Sequence, residues 1–70
     1  MKSLQLIADT INNMTVLIEE YNSCNAISYM RCTSDDERFY LVIDGIQITT
    51  GSLTHVYKRV KGICKENGII

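Results

Sequence analysis

The sequence predicts a two-layer α+β sandwich, a three-stranded antiparallel meander with two helices on one face, in the order α-β-β-β-α. Three observations predict it. Apolar residues recur at helical spacing from Leu4 to Tyr21. Asp44-Gly45 separates two runs rich in aromatic and β-branched residues, the strongest short-range signal of a hairpin. Helical spacing then returns after Ser52. Seventy residues without proline hold one domain, 1–70, with a thin core.

The first helix is expected over about 3–21, where Leu4, Ile7, Ile11, Met14, Ile18 and Tyr21 form the apolar stripe. Ser3 is the expected N-cap, and Asn22 and Ser23 are expected to stop the helix. Leu6 and Leu17 fall beside the stripe and widen the apolar arc to roughly 160°. Such an arc suits a helix wedged between a sheet and a second helix, or one that gives part of its surface to another chain.

Strands are expected over about 25–33, 38–43 and 46–50. A two-residue loop at Asp44-Gly45 sets Ile43 against Ile46, Val42 against Gln47, Leu41 against Ile48 and Tyr40 against Thr49. Facing residues share a side. Phe39, Leu41, Ile43, Ile46 and Ile48 therefore form an inner apolar face. An even-numbered loop within Ser34–Glu37 pairs Cys32 with Phe39 and Met30 with Leu41, which adds Ala26, Ser28, Met30 and Cys32 to that face. Ile27, Tyr29 and Arg31 then join Tyr40, Val42, Gln47 and Thr49 on the outer face. An odd-numbered loop would reverse the first strand.

The last helix is expected over about 52–67, with Ser52 as N-cap and Leu53, Val56, Tyr57, Val60, Ile63 and Cys64 on its buried arc. Asn67-Gly68 supplies a left-handed C-cap onto which Ile69 packs back. Lys58, Lys61 and Lys65 make a separate ridge, with Arg59 beside it.

Composition narrows the function classes. Four cations stand against one acid in 52–67, while the rest of the chain carries three cations against seven acids, for a net charge of −1. That balance gives no global attraction to nucleic acid or anionic membrane. No apolar run is long enough for a membrane span, and the first residues do not read as a signal peptide. The expected location is the cytoplasm. Cys24, Cys32 and Cys64 are odd in number and irregular in spacing, so free thiols are expected. No CxxC or HxxxH spacing points to zinc, the Asp35-Asp36-Glu37 run lacks the alternation of a calcium loop, and no glycine-rich phosphate loop exists. The lone His55 falls opposite Cys64 on its helix, so the two form no dyad there. No cofactor, metal or catalytic residue is expected, and the chain reads as a non-enzyme.

The order helix, three strands, helix resembles that of double-stranded-RNA-binding domains in topology. Gly51-Ser52 precedes the second helix as that family's glycine-rich turn does. Leu53-Thr54-His55-Val56-Tyr57 follows where the family places its basic cluster, and Asp35-Asp36-Glu37 replaces its glycine-proline loop. An acidic turn there repels phosphate.

Both helices covering the inner face would leave the outer face open, with Tyr29, Arg31, Tyr40, Val42 and Gln47 as candidate partner-binding residues. Tyr and Arg are enriched at binding hot spots, and an apolar-aromatic patch on a small domain marks an interface. The expectation is a small binding module acting by protein–protein contact as a homodimer, of the kind phages and mobile elements encode to inhibit or regulate host proteins. The alternative is nucleic-acid binding through Lys58, Arg59, Lys61 and Lys65.

Overall fold

A computed structural model describes residues 4–70. The elements are α1 (Leu4–Cys24), β1 (Met30–Asp35), β2 (Arg38–Ile43), β3 (Ile46–Gly51) and α2 (Leu53–Glu66). The three strands form one antiparallel sheet in the order β1-β2-β3. Fold class and element order agree with the sequence expectation. The expected Ser3 N-cap lies outside the described residues.

The core lies between the sheet and both helices. Met14 and Tyr21 of α1, Met30 and Leu41 of the sheet, and Val56, Val60, Ile63 and Cys64 of α2 are buried together. Cys32, Phe39 and Ile43 pack against this cluster from the same face of the sheet, while Tyr40 and Val42 do not. Both helices therefore cover one face, and the other is open.

Each turn has a local cause. Asp44 and Gly45 take φ of 52° and 81°, the left-handed pair that a type I′ hairpin requires. The β1–β2 turn has only two residues, Asp36 and Glu37, with Asp36 at φ 56°. Cys32 consequently pairs with Leu41 and Met30 with Ile43, two residues along from the expected register. A shift by two preserves the faces, so Met30 and Cys32 remain inner.

Two expectations are corrected. The first strand starts at Met30 rather than at about 25, because its partner runs out. Met30 already faces Ile43, and Tyr29 faces the hairpin at Asp44, so residues 25–28 have nothing to pair with. Asn25 instead closes α1, where its backbone N–H and its side-chain Nδ2 both donate to the Tyr21 carbonyl. The helix thus runs three residues past its expected end.

The second correction concerns β3. Its register shifts between Leu41 and Val42, leaving Ile48 as an extra residue, so that Leu41 faces Thr49 and Tyr40 faces Thr50. Thr49 turns inward and Thr50 outward. Ile46 and Ile48, expected in the apolar face, are both exposed.

α2 is closed at both ends as its sequence implies. Ser52 Oγ accepts from His55 N–H at 3.3 Å. At the far end Gly68 N–H donates to the Lys65 carbonyl and Ile69 N–H to that of Cys64, with Gly68 at φ 74°. This is a Schellman cap, and Ile69 packs on the core behind it.

Candidate interaction surfaces

Strand register decides what lies on the open face. Arg31, Val42 and Gln47 face one another across all three strands, and Thr33, Tyr40 and Thr50 form the next row. Tyr29 stands just before β1, on the side of Arg31. All five sequence-predicted binding residues therefore come together on one surface. Tyr29, Arg31 and Gln47 are exposed, whereas Tyr40 and Val42, on the central strand, are half-buried between their neighbours.

This face is held to the rest of the fold by two side chains that mimic a strand. Asn22 of α1 bonds both backbone groups of Met30: Nδ2 donates to its carbonyl at 2.9 Å, and Oδ1 accepts its N–H at 2.7 Å. Asp44 treats Tyr29 likewise, its N–H donating to the Tyr29 carbonyl and its carboxylate accepting the Tyr29 N–H at 2.8 Å. The hairpin aspartate thus fixes where Tyr29 is presented. Ile27 at 95% exposed and Ile46 at 66% exposed flank it at the same end of the sheet. The sequence places Ile27 with the outer face and Ile46 with the inner one; the exposure of Ile46 was not legible, because hydrophobic spacing marks a face and not where its cover stops.

A second apolar surface belongs to α1. Its twenty-one residues span about 32 Å, whereas a six-residue strand spans about 20 Å. The helix overhangs the sheet. Met14, Leu17, Ile18 and Tyr21 in its later half pack into the core, while Leu4, Leu6 and Ile11 in its first half stay exposed. Between the helix and β1 a groove opens, lined by Ile11, Met14, Ile18, Cys32, Ser34 and Phe39. The wide arc in the sequence signals this surface.

No protein-family model, no curated protein and no solved structure matches this chain.

His55, Cys64 and Cys32 are engaged in structure. His55 Nε2 lies 3.1 Å from Thr49 Oγ1, and its ring covers Gly51. The inward turn of Thr49 at the bulge creates that contact. Cys64 is buried with its thiol directed at the Leu17 carbonyl, 3.6 Å away. Burial, and then the nearby Glu20 carboxylate, push this thiol above its ordinary value. Burial also raises that of Cys32. Both shifts disfavour the thiolate, the nucleophilic and metal-binding form. Among the described residues, no group of three His, Cys, Asp or Glu side chains gathers as a metal site, and no helix is long and apolar enough to cross a membrane.

Lys58, Arg59, Lys61 and Lys65 are all exposed on α2. Lys61 Nζ lies 4.5 Å from the centre of the Tyr57 ring, a cation–π contact. Among the described residues none of the four pairs with Glu19 or Glu20.

Proposed function

We propose that this chain is a non-enzymatic binding module that acts by protein–protein contact through the open face of its sheet. The carrying observation is the uncovered row Arg31–Val42–Gln47 with Tyr29 and Tyr40 beside it. A small domain with its helices on one side presents this face as a rigid, preformed platform. Rigid aromatic anchors flanked by polar groups are what hot spots use, since they bury area at little entropic cost. A compact module of this kind suits an inhibitor or regulator that occupies a surface of a larger protein, as phage-encoded regulators do.

The test is site-specific photo-cross-linking in the source cell. A photoreactive residue in place of Gln47 should give a discrete protein adduct, and Tyr29→Ala with Arg31→Ala should reduce its yield about tenfold while the fold persists. The same probe in place of Lys58 should give none. Equal yield from both positions, or none from Gln47, overturns the proposal.

The exposed cations of α2 favour a second reading, the binding of nucleic-acid phosphates. Counterion release then predicts that log affinity falls linearly with log salt, by about 0.7–0.9 per phosphate contacted. Lys61→Glu with Lys65→Glu should weaken binding and flatten that slope. An unchanged affinity excludes the ridge.

A further inference from the structure

Strand β1 is an edge strand, and its hydrogen-bonding groups can be assigned from two contacts. Asp44 N–H donates to the Tyr29 carbonyl, so the pair Tyr29–Asp44 is a hydrogen-bonded one. Alternation then directs the backbone groups of Arg31, Thr33 and Asp35 toward β2, and those of Met30, Cys32 and Ser34 away from it. Asn22 confirms the parity independently, because it takes both groups of Met30 from the outer side. The N–H and C=O of Cys32 and Ser34 are left without a partner among the described residues. They lie along the groove beside α1.

We infer that this edge pairs with a second copy of the same chain, β1 against β1 in antiparallel about a two-fold axis at Thr33. Cys32 then faces the partner's Ser34 and exchanges two hydrogen bonds with it. The symmetric pair does the same, so all four open groups on each edge are satisfied. The other outward-facing registers fail: centring on Cys32 needs the groups of Met30 that Asn22 already holds, and centring on Ser34 carries Cys32 onto the turn residue Asp36.

Charge complementarity supports the same register. With Thr33 opposite itself, Arg31 faces the partner's Asp35, and Asp35 faces the partner's Arg31. These are non-hydrogen-bonded positions, where side chains approach most closely. Opposite charges across such a pair attract, and like charges repel. The product is one six-stranded sheet ended on each side by β3. This deepens the binding-module reading, on which it rests, because it joins two open faces into one surface.

The experiment is disulfide trapping combined with sedimentation of the full chain. In a Cys24→Ser background, Thr33→Cys should oxidise to a covalent dimer, since non-hydrogen-bonded Cα atoms lie about 4.5 Å apart, within disulfide reach. Gln47→Cys on the far edge strand should not. Ser34→Pro removes an outward N–H and leaves the ladder to β2 intact, and it should weaken dimerisation about tenfold or more. Arg31→Asp should weaken it similarly, and Arg31→Asp with Asp35→Arg should restore it. Wild-type chain that sediments as a monomer at 100-micromolar order (roughly the weak limit of a specific contact) overturns the inference. A dimer indifferent to Ser34→Pro and to the charge reversal overturns it equally. Tyr40→Ala should leave dimerisation unchanged, so failure of the open-face reading shows separately as lost cross-linking to a partner protein.

Discussion

Asn22 shows how a residue can mislead when read alone. In sequence it resembles a helix stop, since asparagine competes with the backbone for hydrogen bonds. In the fold α1 continues past it, and its amide bonds both backbone groups of Met30. The signal was ambiguous because the same amide chemistry serves a cap or a tie, and only the distant partner decides which. Met30 is fully buried, so removing the amide leaves an N–H and a C=O unsatisfied beside the core. Asn22→Ala should therefore cost about 2–3 kcal/mol of stability, lowering Tm by about 10 °C or more in a domain this small. Urea unfolding measures the cost. Amide hydrogen exchange should show the Met30 N–H losing protection more than that of Leu41, and a loss below 0.5 kcal/mol (about the scale of ordinary surface substitutions) would mean that water replaces the amide.

The elements were legible where a local rule governs them. Helical spacing located α1 and α2, the left-handed pair Asp44-Gly45 located the hairpin, and Ser52, Asn67 and Gly68 located both ends of α2. Apart from Thr49, the open face was legible too, because face assignment depends on the parity of a register wherever no bulge intervenes. What sequence did not reveal are the steps where one element answers to another. The bulge at Ile48 is one of these. It turns Thr49 inward to His55 and sets Thr50 Oγ1 to donate to the Phe39 carbonyl at 3.0 Å. It thus joins the end of β3 to the first turn of α2. Gly51 completes the joint: its φ is 153°, and a Cβ there would come within 2.9 Å of the His55 ring. Gly51→Ala should destabilise by about 1–3 kcal/mol, from backbone strain and the clash together. His55→Ala in the same chain should relieve the clash and leave the strain. A double-mutant cycle measured by urea unfolding should then show a coupling of about 0.5 kcal/mol or more between the two sites. Strict additivity would mean that the ring swings away freely and does not hold the joint.

At the scale of the whole molecule, a thin core is shared among α1, β1, β2 and α2, and its polar groups are few. No described buried side-chain nitrogen or oxygen lacks a partner, and the core also holds thiols. Cys64 is fully buried against α1, and Cys32 packs on the same cluster from the sheet. Both resist ionisation in the folded chain, chiefly because burial penalises the thiolate. An unfolded chain releases these protons near the ordinary value of 9.0, whereas the folded chain keeps them to higher pH. Above about pH 8 the unfolded state therefore binds fewer protons than the native one, and stability falls as pH rises. Each buried thiol contributes at most about 1.4 kcal/mol per pH unit to that fall, until it ionises in the native state as well. Urea unfolding between pH 7 and 9.5 should show a steady midpoint up to about pH 8 and a decline beyond it. Cys64→Ala should start lower at neutral pH, because a cavity opens beneath Leu17, yet decline less steeply. Thiol labelling at pH 8 should agree, with exposed Cys24 reacting first and Cys64 only as fast as the whole domain opens. Rapid labelling of Cys64 in native chain, or a Cys64→Ala slope equal to that of the parent, would show that α1 parts from α2 without global unfolding, and that the two helices are not one cooperative layer.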